Sequence, residues 1–231
     1  AAAAAALSAG GGGRGQVALY LDGAALRGAA LERAGRIAAH AGARLVAPHA
    51  VARIEAGQGR VMVERVPYRG ADAARALADI GTLILCGPAA APVNFFAYPG
   101  AACEPLAPGC RVLSLAVPGE DVADALMRLE ARLGAERATP ERRAGTVAAP
   151  GAGPLGLGQL GAVLQRLIPE GAIVVDEGIS GSFTLSPLVA AAAPHDALQL
   201  TGGAIGIGPA LALGAALGAP GRPVVCIVGD G

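Results

Sequence analysis

Short runs rich in Val, Ile and Leu alternate along this chain with longer segments whose apolar residues recur at helical spacing. That alternation restricts the fold more than any other feature. "QVALYLDG" (16–23) predicts a buried strand and "AALRGAALERAGRIAAH" (24–40) the helix that follows it. The unit recurs with strands at "RLVAPH" (44–49), "TLILCG" (82–87) and "RVLSLA" (111–116), and with a helix at "ADAARALADI" (71–80). "EDVADALMRLEARLG" (120–134) is amphipathic: Val122, Leu126, Leu129 and Leu133 share one face, and its acidic first turn suits the helix dipole. Strands alternating with helices predict an α/β fold, a doubly wound and mostly parallel sheet covered on both faces.

The pattern breaks over residues 135–154, "AERATPERRAGTVAAPGAGP", which is charged and then rich in Pro, Gly and Ala. This composition predicts a linker between a first domain, 1–134, and a second, 155–231. In the second the alternation resumes: a helix at 157–168, a strand "AIVVDEG" (172–178), a loop, a short strand "LQLTG" (198–202), an apolar helix within 206–217 and a closing strand ending in "VVCIVGDG" (224–231). A sheet that ends on its newest strand lacks the helix that should cover it, so the second domain is expected to be truncated.

Composition narrows the chemistry. The chain is 53% hydrophobic and 16% charged, enough for a substantial core, and its formal net charge is +0. No global field favours nucleic acid or an anionic membrane. Every basic residue is Arg, which removes Schiff-base lysines and the P-loop lysine. Cys86, Cys103, Cys110 and Cys226 form no C-x-x-C pair and are expected to be reduced, buried thiols of a cytoplasmic protein; His40, His49 and His195 lack ligand spacing. "AAAAAALSAG" has no basic n-region and does not read as a signal peptide. The uncharged stretch "TGGAIGIGPALALGAALGAPG" (201–221) is long enough to span a bilayer, but its glycines and prolines favour a buried soluble helix.

"GLGQLG" (156–161) fits the dinucleotide fingerprint G-x-G-x-x-G but follows a linker where the mechanism requires a strand; "GGGGRG" (10–15) precedes its strand. Two other loops are better placed, each after a strand at the carboxyl edge of the sheet. In "DEGISGS" (176–182) glycines expose backbone N–H groups, and Ser180 and Ser182 add hydroxyl donors able to hold phosphate oxygens. In "GDG" (229–231) a carboxylate between glycines offers an oxygen ligand to a hard cation such as Mg²⁺. A diphosphate with its metal ion would fill the space between the loops.

The stretch "GGAIG", then "LALGAALGAPGRPVV", then "GDG" resembles the thiamine-diphosphate-dependent enzymes of the acetolactate synthase and benzoylformate decarboxylase group in order and spacing. "VVDEGISGS" is similar to that family's diphosphate-side loop, and "VNFFAYPG" (93–100) and "AVPGEDVADAL" (116–126) to the central domain of its acetolactate-synthase-like members. The resemblance implies thiamine diphosphate and Mg²⁺ as cofactors and a 2-oxo acid as substrate. It makes Asp230 a metal ligand and sets Gly229 and Gly231 beside the diphosphate. Glu177, Gly178, Ile179, Ser180 and Gly181 would form the diphosphate-side loop, with Ser180 and the backbone of Ile179 and Gly181 touching the phosphates. The Gly203 carbonyl would accept a hydrogen bond from the cofactor's exocyclic amine. Ile205 would wedge beneath the thiazolium and enforce the bent cofactor that makes catalysis possible.

Pro209 stands one residue earlier than in the family's usual Leu-Pro order, which predicts a shifted helix start. The family's activating glutamate belongs to an N-terminal domain that is not recognisable here, and the Asn that completes its metal site would lie beyond Gly231. The chain is therefore expected to be an inactive fragment by itself. Full-length members of the family build active sites between subunits, implying a homodimer or homotetramer, and some bind FAD. Phe95, Phe96 and Tyr98 hold half of the six aromatics and fit interdomain packing, a substrate entrance or a flavin site. Carboligation of pyruvate and simple 2-oxo acid decarboxylation both remain open at this stage, as does a noncatalytic nucleotide-binding module.

Overall fold

The computed structural model describes residues 1–9, 16–88, 90–97, 99–100, 102–145 and 149–229. The "GGGGRG" run, Tyr98, Asp230 and Gly231 lie outside the described residues. In chain order the elements are α1 (Ala2–Ser8), β1 (Val17–Leu21), α2 (Gly28–Ala41), β2 (Arg44–Ala47), β3 (Ile54–Ala56), β4 (Glu64–Arg65), α3 (Gly70–Leu77), β5 (Thr82–Cys86), β6 (Arg111–Ala116) and α4 (Val122–Leu133). They continue with α5 (Leu157–Leu167), β7 (Ile173–Glu177), α6 (Ser182–Val189), β8 (His195–Gln199), α7 (Ile207–Gly218) and β9 (Val224–Val228). The chain divides into two compact units, one of Ala1–His49 with Met62–Glu141, the other of Ala50–Val61 with Arg142–Gly231.

The first unit is the doubly wound sheet that the alternation predicts. Its strands are all parallel, in the order β4-β2-β1-β5-β6. Successive strand residues point to opposite faces. Ala18, Tyr20, Val46, Leu83 and Leu85 pack with Ala73 and Leu77 of α3. Leu19, Leu21 and Ile84 are fully buried on the other face, the side on which α2 and α4 pack together. Buried Glu130 of α4 accepts from Arg36 and pairs with Arg33, both on α2. Asp121 caps α4, accepting from the N–H groups of Ala123 and Asp124 at 2.9 and 3.1 Å, and Gly134 ends it in the left-handed region at φ 66°. Phe95 and Phe96 meet edge-on, with ring centroids 4.9 Å apart, and both lie against Tyr68, which itself stacks near His49.

The second unit has the sheet order β3-β8-β7-β9, with β7 parallel to both neighbours and β3 antiparallel at the edge. Val174 sits with Ile168, Ala172, Val189 and Ala192 in a core formed with α5 and α6. Gly161 of α5 lets the two helices approach: a Cβ there would lie 3.1 Å from the Cβ of Leu188. The third glycine of the dinucleotide-like "GLGQLG" therefore serves helix packing, while Gly156 is the N-cap of α5. α7 is apolar all round but spans only Ile207–Gly218, and among the described residues no helix is long and apolar enough to cross a membrane. Pro209 falls in its first turn, where a missing N–H costs no intrahelical bond.

Five features differ from the sequence expectation. Residues 50–61 group with the second unit because β3 pairs with β8, and Gly57, at φ 105°, passes so close that a Cβ would sit 2.6 Å from the Ala193 carbonyl oxygen. The segment expected as a free linker begins packed: Ala135 is fully buried, Val61 and Arg142 form a bridge, and Arg143 N–H donates to the Arg60 carbonyl at 2.9 Å. The strand expected at 198–202 lies at His195–Gln199, where the buried polar pair His195 and Asp196 disguises it. α6 stands where a loop is expected, with Pro187 inside it. Of the four thiols Cys86 is buried, but Cys103 is exposed and Cys110 and Cys226 are half-buried.

Candidate active site at the carboxyl edge of the second sheet

From β7 the chain passes through α6 to β8 on one side, then returns through α7 to β9 on the other. The winding direction reverses between β7 and β9. In open α/β sheets ligands bind outside the carboxyl ends of the strands at such a reversal. Two loops, 178–181 after β7 and 200–206 after β8, lie at that edge together with Gly229 after β9.

The β7 loop turns back on itself. Gly181 N–H donates to the Gly178 carbonyl at 2.9 Å and Ser182 N–H to that of Ile179 at 3.2 Å. Ile179 has φ 43°, the one positive value at a non-glycine among the described residues. For a β-branched side chain this conformation is strained, and such strain concentrates at ligand-binding turns. Ile179 and Ser180 are exposed. A Cβ at Gly178 would meet the Ser182 hydroxyl at 2.7 Å, and one at Gly181 would meet the Gly178 carbonyl oxygen at 3.2 Å. Closeness thus favours glycine at 178, while at 181 the contact is tight without excluding a side chain. Ser182 departs from expectation: its hydroxyl donates to Asp176 Oδ1, which removes it as a phosphate donor.

In the β8 loop Gly202 and Gly203 have φ of 76° and 71°, and Gly206 has φ 96°. No atom would obstruct a Cβ at Gly202 or Gly206, so backbone conformation alone requires glycine there. Ile205 stands out from this turn with 67% of its surface exposed. Gly229 N–H donates to the Glu177 carbonyl at 3.3 Å, which fixes Gly229 beside the end of β7.

Two carboxylates underlie the site. Asp176 Oδ1 accepts from Gly178 N–H at 3.0 Å and from Ser182, and its Oδ2 accepts from the Ser186 hydroxyl at 2.5 Å. Glu177 is 3% exposed; Oε1 accepts from Gly206 N–H at 2.6 Å and Oε2 from Gly208 N–H. Glu177 thus gives both carboxylate oxygens to the entrance of α7. Sequence reasoning passed over Asp176, although a D-E pair at a strand end necessarily directs its two side chains to opposite faces. Burial, followed by the nearby Glu177 and Asp176 charges, pushes the Cys226 thiol up, so it stays protonated.

The arrangement suits a diphosphate and a flat aromatic headgroup: a strained turn whose tip, Ile179 and Ser180, is exposed, a glycine turn, and one large apolar side chain left uncovered. Known proteins agree. Residues 180–231 match the family model "Thiamine pyrophosphate enzyme, C-terminal TPP binding domain". Over 213 residues the chain is 40% identical to the "Putative acetolactate synthase large subunit IlvX" of Mycobacterium tuberculosis, covering 92% of this chain and 41% of that protein. Thus it spans well under half the length of the relative it matches. The fold also superposes on a thiamine diphosphate-dependent 4-hydroxybenzoylformate decarboxylase from Rhodococcus jostii RHA1, with a TM-score of 0.64 at 19% identity over 95% of this chain and 44% of that one. A thiamin diphosphate-dependent enzyme structure from Mycobacterium smegmatis, itself titled as putative, gives 0.63 at 21% identity over 96% of this chain and 46% of the other. Residues 180–231 thus match a thiamine-pyrophosphate-binding domain, and most of the chain is similar to a protein named for the same family of enzymes.

Proposed function

We propose that this chain serves a thiamine-diphosphate- and Mg²⁺-dependent enzyme acting on 2-oxo acids in the manner of acetolactate synthase, joining two pyruvates with loss of CO₂. The observation that carries the cofactor reading is the convergence of the strained 178–181 turn, the 200–206 glycine turn and Gly229 at one sheet edge. The 40% identity to a protein named as an acetolactate synthase large subunit favours carboligation over simple decarboxylation.

Thiamine diphosphate, when bound, supplies the electron sink that makes loss of CO₂ from a 2-oxo acid possible. The residues here bind and orient it. Ser180 and the amide of Ile179 would hold the diphosphate, with Gly178 allowing the turn to close; the Gly181 N–H, expected to join them, is already given to the Gly178 carbonyl. Asp230, flanked by Gly229 and Gly231, would ligate the Mg²⁺ that offsets the phosphate charge; Asp230 and Gly231 lie outside the described residues. The Gly203 carbonyl would accept from the exocyclic amine, and Ile205 would support the headgroup and exclude water beneath it. Assembly of the active enzyme as a homodimer or homotetramer belongs to the same reading.

Calorimetric titration of the chain with thiamine diphosphate and Mg²⁺ tests it, with binding that requires the metal as the expected result. Binding of ADP, NAD or FAD with no response to thiamine diphosphate would overturn it in favour of a nucleotide-binding module. With the intact enzyme, acetolactate as the product from pyruvate supports carboligation, and release of the free aldehyde supports decarboxylation.

A further inference from the structure

Both helices that start at the candidate site lack a side chain at the N-cap. Gly181 precedes α6 and Gly206 precedes α7, and neither helix has an acidic residue in its first turn. The unpaired N–H groups of a helix start need acceptors, and a negative charge there is favourable. At α7 that acceptor comes from the neighbouring strand β7: Glu177 takes the N–H groups of Gly206 and Gly208. At α6 Asp176 binds the Ser182 and Ser186 hydroxyls one turn apart, together with Gly178 N–H in the approach. The Glu177 carbonyl accepts from Gly229. Two adjacent residues thereby reach both loops and Gly229.

Resting on the cofactor reading above, we propose that Asp176 and Glu177 are positioning residues, a two-sided clamp that holds the diphosphate turn and the headgroup turn independently of each other. Alternation along the strand explains the division of labour: Asp176 faces α6 and Glu177 faces α7. Glu177 does not bind ligand, because it is buried and each of its carboxylate oxygens already holds a backbone amide. Its charge also occupies the start of α7, which leaves the phosphate to the 178–181 turn. Glycine at both N-caps brings no capping side chain; β7 supplies the acceptor for the start of α7 through Glu177 and ties down the start of α6 through the two serine hydroxyls that Asp176 binds.

The test combines amide exchange with two probes on the full chain, inorganic pyrophosphate with Mg²⁺ and thiamine diphosphate with Mg²⁺. Glu177→Gln should speed exchange at Gly206 and Gly208 by about tenfold or more while leaving 178–186 at the wild-type rate. It should weaken thiamine diphosphate and leave pyrophosphate affinity unchanged, since pyrophosphate lacks the headgroup. Asp176→Asn should speed exchange at 178–186, spare 206–208 and weaken both probes. Should either variant fail to fold, Gly208→Ala, whose Cβ would lie 2.7 Å from Glu177 Oε2, and Ser186→Ala, which removes one Asp176 contact, replace them. Equal loosening of both loops by either substitution, or unchanged exchange, overturns the clamp. The predicted exchange pattern with both affinities unchanged overturns its service to the cofactor. A wild-type chain that binds neither probe refutes the cofactor reading, and the exchange pattern then decides the clamp alone.

Discussion

Asp196 is the most heavily paired carboxylate of the second unit, and its removal has a calculable cost. Its side chain is 8% exposed; Arg53 donates Nε to Oδ1 and Nη2 to Oδ2, each at 3.0 Å, and Arg222 donates Nη2 to Oδ2 at 2.7 Å. Arg222 also donates to the carbonyls of Gly171 and Ala172, so this acid joins the 50–61 segment to the turn before β7. Breaking a buried pair by deleting one partner costs about 3–5 kcal/mol. The remaining guanidiniums are 43% and 34% exposed and regain water, which lowers the expected loss for Asp196→Ala to about 2–3 kcal/mol.

Urea denaturation followed by a probe in the second unit measures that loss. The pH dependence has a defined sign. Burial works to raise the Asp196 pKa, but the hydrogen bonds and charges of Arg53 and Arg222 outweigh it and hold the group below its ordinary value. A depressed folded pKa contributes stability that is present above the unfolded value and lost as pH falls through the folded one. The difference between wild type and variant should therefore stay constant from about pH 7 to pH 5 and shrink only below about pH 4. In a double-mutant cycle with Arg53→Ala the two substitutions should couple by about 1 kcal/mol or more. A loss below about 0.5 kcal/mol, or strict additivity with Arg53→Ala, would refute the reasoning.

Four further outcomes are expected. Burial lowers the His195 pKa, with Arg143 and Arg60 adding to that effect and the Ala193 carbonyl and Asp196 opposing it. The unfolded chain therefore takes up a proton at about pH 6.5 that the folded chain refuses, and stability should fall by up to about 1.4 kcal/mol per pH unit below that point; His195→Gln should remove this His195-linked part of the slope in thermal melts. Gly161→Val should destabilise the second unit by about 2 kcal/mol in urea despite the flexibility of glycine in a helix, because its side chain would press on Leu188. Ile179→Gly should melt no lower than wild type, since relief of about 1–3 kcal/mol of positive-φ strain outweighs the added freedom of glycine, whereas Ile179→Ala keeps the strain. Iodoacetamide should label Cys103 first and Cys86 last, following exposure and the upward shift that burial imposes on the Cys86 thiol.

The fold class was legible in the sequence because buried parallel strands must be continuous apolar runs and their covering helices must keep a helical period. "VALYL" and "TLILC" became the buried strands β1 and β5, whereas "VVCIV" became β9 at a sheet edge, where none of its residues is fully buried. The tight turn after β7 was legible because glycines clustered beside a carboxylate at a strand end mark a place where backbone must come close to something else. Ile205 was singled out for the same reason and stands exposed in its glycine turn.

Other features depended on contacts between residues far apart in the chain, which local pattern does not encode. β8 begins with His195 and Asp196: the Ala193 carbonyl pairs with His195 Nδ1 and leaves its buried Nε2 without a partner, while Arg53 and Arg222 satisfy Asp196. β3 has no apolar run of its own and exists by pairing with β8. α6 carries an internal proline and is held by packing on α5 and by Asp176 beneath its serines. The sequence alone determined where the chain must bury apolar surface and where its backbone must turn tightly. Only the tertiary structure decided which polar groups may be buried and what each carboxylate at the end of β7 holds, because a buried charge is stable solely through partners that folding brings to it.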